Sequence, residues 1–213
     1  MNKVTNIIVN ILLLAVIVFL AFKVVQSIQA PIKFGNEQKV RETQVVQRLM
    51  DIRNAEVLYK NATNQYTNNF DSLIKFCQEA EIPIVNIIPD PEDTTFTRTI
   101  NDTIGFVKVM DSLKGKRTDF RISDIKFVPF SQPQQQFELE AGTIERNGIK
   151  IPVFEARTPY EVYLANPGEG FSEKEWNQRR DNAKAEKESI NRYAGLKVGS
   201  MEEATTDGNW EKL

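Results

Sequence analysis

Residues 7–25 read IIVNILLLAVIVFLAFKVV, and residues 36–60 read NEQKVRETQVVQRLMDIRNAEVLYK. Only Asn10 and Lys23 break the first stretch. As a helix it spans about 28 Å, close to a hydrocarbon core of ~30 Å. Lys23 sits near its end, where the stem can carry the ammonium toward headgroups, and Asn10 lies near the opposite face. This predicts a transmembrane anchor over residues 1–30, with the lipid bilayer as a partner.

A cleaved signal peptide needs a basic start, a shorter apolar core and small residues before the cut. Here the start carries only Lys3, and the best cut, after Ala30, has Ile28 where a small residue is wanted and Pro31 next. An uncleaved anchor is expected. No cysteine follows directly on the run, so lipoprotein processing is excluded. Lys3 and the α-amino group stand against Lys23, Lys33, Lys39 and Arg41, and that count favours a cytoplasmic body. A short tail before an apolar helix also suits an exported body, which is the orientation adopted on the resemblance given below.

The second stretch has no Gly or Pro. Val45, Leu49, Ile52 and Tyr59 recur at three- and four-residue steps, with Ala55 and Glu56 flanking the intermediate step. The pattern predicts an amphipathic stalk helix over 31–62, its 36–60 part on the order of 40 Å long. Lys39, Glu42, Arg53 and Lys60 mark the opposite face. Pro31 and Gly35 should bend or interrupt the chain between anchor and stalk. The apolar stripe either packs on the protein's own sheet or pairs with another subunit.

Asp51-Ile52-Arg53, Ala55, Tyr59-Lys60, Asn64, Gln65, Tyr66 and Leu73 together resemble the end of the long helix in type IV pilins and type II secretion pseudopilins. The resemblance covers roughly residues 1–76. It implies a long helix leading into a small antiparallel sheet, and assembly through helix contacts. Pilins carry a Gly before an aromatic or Met residue, with a Glu shortly beyond. Neither residue type occurs here before Gly35, so prepilin-peptidase processing is not expected. The whole chain also resembles a family of single-pass envelope proteins of Bacteroidota, which implies an inner (cytoplasmic) membrane anchor and a periplasmic head, and no activity.

The head, residues 63–171, reads as α+β. Asn68 or Asn69 can cap a helix through Ala80, with Asp71 in its first turn and Leu73, Ile74, Phe76 and Cys77 on its apolar side. Ile82–Ile88 and Thr103–Met110 are strand-like. Between them lies an acidic turn-rich loop, Pro89 to Thr95, without the ordered spacing of a calcium loop. Phe120, Ile122, Ile125 and Phe127 fit strand or turn. Phe137, Leu139 and Ala141 alternate with acids, and Ile149, Ile151 and Val153 alternate beyond Asn147-Gly148, the mark of a type I′ hairpin. Glu161–Leu164 adds a short strand. The expectation is an antiparallel or mixed sheet of about four to six strands packed on the stalk helix.

After Pro167-Gly168, Ser172-Glu173-Lys174-Glu175 is a capping box, opening a C-terminal helix over 172–195 that stops at Gly195. Its apolar marks are sparse: Trp176, Ala183 and Ile190, plus Tyr193. It either leans on the head through Trp176 and Tyr193 or docks on a partner, and docking is preferred. Residues 196–213 read as a polar tail, tucked down by Trp210. The expected partner contacts are therefore Val45, Leu49, Ile52 and Tyr59 on the stalk, with Trp176, Ala183, Ile190 and Tyr193 behind.

Composition narrows the function. The 213-residue chain has a net charge of −2, no histidine and one cysteine. There is no basic stripe for nucleic acid, no Gly-rich phosphate loop and no His-dependent base or metal site. Cys77 reads as a buried, inert thiol. The acids Asp124, Glu138, Glu140, Glu155 and Glu161 could pair for hydrolysis, but a solvated sheet face shows the same spacing. No enzyme activity, cofactor or metal is expected. The chain reads as a membrane-anchored structural or assembly component of an envelope complex, pilin-like but unprocessed, forming a homo-oligomer or binding other envelope proteins. The alternative is a tethered extracytoplasmic module that binds a small ligand or peptide.

Overall fold

One helix organises the molecule. In the computed structural model, which describes residues 3–89 and 99–211, α1 runs unbroken from Lys3 to Thr63, 61 residues and so about 90 Å. The expected bend at Pro31 and Gly35 does not occur. Pro31 lacks the N–H that would bond back along the helix, but tertiary packing holds its neighbours in place. Ala30 and Phe34 are buried on either side of it. The Phe34 ring lies 4.9 Å from Trp176 and 6.4 Å from Phe171, edge-on to both.

The fold is α+β, 51% helical and 22% strand, and α1 alone explains why helix dominates. α2 (Phe70–Glu79) starts where its cap predicts: the Asn69 side chain accepts from the Asp71 and Ser72 N–H groups. β1 (Glu81–Pro89) and β2 (Thr99–Lys108) pair antiparallel as a two-stranded ribbon. The acidic loop from Asp90 to Thr95 lies outside the described residues. α3 (Val109–Lys114) follows β2 and takes Met110 out of the expected strand. A single 3-10 turn at Ile122–Asp124 then feeds Ile122, Ile125 and Val128 into the core.

β3 (Glu138–Arg146) and β4 (Ile149–Pro159) form the expected hairpin, with Asn147 at φ 54° and Gly148 at φ 78° in its turn. β5 (Gly195–Gly199) completes an antiparallel sheet of order β3-β4-β5. The five strands among the described residues thus divide into two sheets rather than forming one.

Three local expectations change. Glu161–Leu164 is not a strand, because Tyr160, Tyr163 and Leu164 are all buried, and that spacing needs a helical turn, α4 (Tyr160–Tyr163). α5 (Glu173–Ser189) keeps the Ser172 cap, whose hydroxyl accepts from the Glu175 N–H, but ends before Ala194, where Asn191 turns left-handed. The start of the polar tail is β5 itself. Leu196 and Val198 point inward, and Gly195 and Gly199 leave no room for a side chain: a Cβ would come within 2.3 Å of the Thr158 carbonyl oxygen and 2.2 Å of that of Phe154.

The core lies between α1 and the three-stranded sheet. Val45, Leu49, Ile52 and Ala55 of α1 meet Leu73 and Cys77 of α2, Val109 and Leu113 of α3, Phe154 and Ala156 of β4, and Leu196 and Val198 of β5 in one apolar cluster. The other face of the sheet is an ion ladder. Arg157 donates to Glu138, Glu140 and Glu155 at 2.7, 2.7 and 3.0 Å, and Lys197 donates to Glu155 at 2.9 Å.

Candidate membrane and partner interfaces

The N-terminal third of α1 is long and apolar enough to span a bilayer, and the described side chains from Asn6 to Gln29 are all exposed. Among the described residues nothing buries Ile7, Leu14, Phe19 or Phe22. The first buried residue is Ala30, about 8 Å beyond Val25 along the helix.

From there the head clamps the helix. Arg41, almost fully buried, donates to the Asn166 carbonyl at 2.8 Å and to the Tyr163 carbonyl at 3.3 Å, and pairs with Glu37 at 3.0 Å. Its guanidinium lies 4.8 Å from the Trp176 ring and 5.3 Å from the Phe130 ring. Trp176 in turn donates from its indole N–H to the Leu164 carbonyl at 2.6 Å. Gly168 is required here, because a Cβ would meet the Glu37 side chain at 2.8 Å and Trp176 at 3.0 Å. This charge, buried among aromatics, fastens the segment between α4 and α5 to the stalk.

These contacts correct several expected partner residues. Val45, Leu49 and Ile52 are fully buried in the chain's own core, so that stripe is used up internally. Tyr59 is half-buried against Phe76, the rings 5.1 Å apart. Trp176 is buried on the stalk rather than offered outward. Ala183 and Tyr193 are half-buried, and only Ile190 is fully exposed. The helical period located the apolar stripe correctly but carried no information about which surface would cover it.

The largest exposed apolar group of the head lies instead on the β1–β2 ribbon. Ile84, Val85 and Ile88 of β1 and Ile104 and Phe106 of β2 are all exposed, Phe106 at 67%. Ile84 and Val85 are adjacent in one strand and so occupy opposite faces. Ile104 is an extra residue in β2, since Ile84 pairs with Gly105 and Val85 with Thr103. The bulge twists the ribbon. A two-stranded ribbon with apolar side chains on both faces is marginal alone in water. The β-branched composition of Ile82–Ile88 was readable as a strand, but its exposure was not.

Two titratable groups are buried together. The Glu56 carboxylate accepts the Thr67 N–H at 3.1 Å through Oε2, and Oε1 has no partner among the described residues. Burial pushes its pKa up to about 8, opposed by that hydrogen bond. Burial, with the Glu56 charge second, likewise pushes the Cys77 thiol up to about 12, well away from a reactive thiolate. The five acids singled out from the sequence are ion-paired: Asp124 with Arg121, Glu161 with Lys184, and Glu138, Glu140 and Glu155 with Arg157.

A cavity of about 430 Å³ opens between the end of α5, β5 and the C-terminal segment, lined in part by Glu42, Tyr160, Arg192, Tyr193, Lys197 and Trp210. Arg192 forms no ion pair among the described residues. The Tyr160 ring is buried, and its hydroxyl has no hydrogen-bond partner among them. No three acidic or cysteine side chains among the described residues are placed to hold a metal ion. No protein-family model, curated protein or solved structure matches this chain.

Proposed function

We propose that the protein is a membrane-anchored structural or assembly component of a bacterial envelope complex, acting through protein–protein contacts made by the β1–β2 ribbon. The observation that carries this reading is the ribbon itself, whose Ile84, Val85, Ile88, Ile104 and Phe106 are exposed while its strand β2 packs against α2 and α3. A second copy of the chain or another envelope protein would cover these side chains and extend the open strand edges. The uninterrupted α1 supports the pilin-like part of the reading, in which one helix serves as both anchor and stalk. In this reading the head lies in the periplasm and the anchor in the inner membrane.

The test is site-specific crosslinking in cells from a photoreactive residue at Phe106. An adduct of defined mass, lost when Ile104 and Phe106 are both changed to Ser, supports the reading. No adduct from Phe106, with the protein correctly inserted, removes it. A reporter fused at the C-terminus and active only outside the cytoplasm tests the orientation, and silence with protein present reverses it.

A second reading, a tethered module for a small ligand or peptide, draws on the 430 Å³ cavity, where aromatic walls combine with the unpaired Arg192. Native mass spectrometry of protein released from its own membrane distinguishes the two. A stoichiometric small adduct lost on Arg192→Ala favours this module.

A further inference from the structure

We infer that the base of the head is a second membrane contact: the tip of the loop between α4 and α5, Gly170 and Phe171, reaches the lipid headgroups and, with α1, forms a notch that takes a phospholipid headgroup. This inference rests on the reading of α1 as a bilayer-spanning helix and adds to it.

The argument is geometric. An ordinary single-pass anchor reaches its domain through a linker, which leaves the domain free to rise and turn. Here there is none, since α1 continues helical from the apolar run into the core. The loop is bound to that helix by Phe34, Arg41 and Trp176, so its height above the membrane is set by helix rise alone. Gly170, Phe171 and Glu175, whose carboxylate pairs with Arg179 at 3.2 Å, line a notch of about 230 Å³ together with Phe22, Val25, Gln26, Gln29, Ala30 and Lys33 of α1. Phe22 and Val25 belong to the apolar run, so the notch opens onto its last turn. A span from Ile7 to Val25 puts the hydrocarbon edge at about Val25, and the headgroup layer extends roughly 5–7 Å farther, over about the next four residues. The notch, lined from Phe22 to Lys33, spans that layer. An ordinary tilt of ~20° moves a loop packed ~10 Å from the helix axis by only about 3–4 Å, too little to lift it clear.

The chemistry of the notch matches this position. Phe22 and Val25 present apolar surface on the hydrocarbon side, while Lys33 stands about two turns above Val25, its side chain leaning back toward the N-terminus, and forms no ion pair among the described residues. An ammonium above an apolar step suits a lipid phosphate with its acyl chain below. The consequence is a head held at fixed height and tilt, so that the β1–β2 ribbon meets neighbours in one geometry only.

The test uses the full chain in vesicles of phosphatidylethanolamine and phosphatidylglycerol. Nitroxide labels are placed singly at Val16→Cys, Glu169→Cys and Lys75→Cys; the buried native Cys77 does not compete for label. Lys75 adjoins Phe76, which stacks on Tyr59, about 50 Å along α1 from Val25. A nickel chelate fixed to lipid headgroups should relax the Glu169 label severalfold more than the Lys75 label. Dissolved oxygen should act most strongly on Val16. A Glu169 label that behaves like Lys75, while Val16 remains in hydrocarbon, overturns the inference and leaves the anchor intact. A Val16 label in water removes both.

Discussion

The β3–β4 hairpin places Phe154 and Ala156 beneath α1, whereas the β1–β2 ribbon leaves Ile104 and Phe106 in solvent. Both are antiparallel pairs rich in apolar residues, the ribbon with one bulge in its register. The difference lies in what covers them. Val45, Leu49 and Ile52 of the stalk supply the second layer that the larger sheet needs, and β5 closes one of its edges. The ribbon has neither along most of its length. A sheet face becomes core only where another element lies over it, so apolar strands yield stability in one pair and an open surface in the other.

That contrast can be broken at its strong end first. Leu49→Ala removes a fully buried side chain at the contact between stalk and sheet, and should cost about 2–5 kcal/mol, read by thermal unfolding of the head. Arg41→Ala deletes two carbonyl hydrogen bonds and the stacking on Trp176. It should cost about 1.5–3 kcal/mol, and Arg41→Lys should rescue it only in part, since an ammonium has neither the flat face that lies over Trp176 nor a second nitrogen to bond Glu37.

Glu56 sharpens the comparison through pH. Its folded pKa of about 8 lies above the ordinary 4.5, so the carboxyl's contribution is whole below about pH 4.5 and is lost as pH rises through 8. Glu56→Gln should therefore raise the unfolding temperature at pH 9 more than at pH 5. An equal shift at both pH values would show that the buried carboxyl does not titrate with folding.

The hairpin turn comes next. Gly148→Ala places a Cβ at φ 78° and should cost about 1–2 kcal/mol, measured by chemical denaturation. The smallest effect on stability belongs to the ribbon. Phe106→Ser should change head stability by no more than about 0.5 kcal/mol while abolishing crosslinks from neighbouring ribbon positions. A large loss of stability there would mean that the ribbon is part of the core after all.

Much of the secondary structure was legible because its signals are local. Asn69, Ser172 and Asn147-Gly148 each act within a few residues, and each acts where its chemistry predicts. β5 was missed although Gly-Leu-Lys-Val-Gly alternates, because five residues after a helix stop read equally well as a loop. α4 was missed because Tyr160, Tyr163 and Leu164 fit a strand by composition and a helical turn by spacing. The expected bend at Pro31 failed for a different reason: Phe34 and Trp176 are far apart in sequence, and their contact outweighs the local preference of a single proline. The cavity beneath α5 and the clamp around Arg41 also join distant segments, and no local pattern announces them.

By itself the sequence determined where this chain is apolar, where its helices begin and where its hairpin turns, since these depend on side chains only a few residues apart. Which apolar surfaces are buried and which remain open was decided by tertiary structure. It turned the stalk stripe inward, drew Trp176 onto the helix and left the ribbon bare. The physical reason is that burial belongs to pairs of surfaces: periodicity describes one surface, and only the folded chain supplies the other.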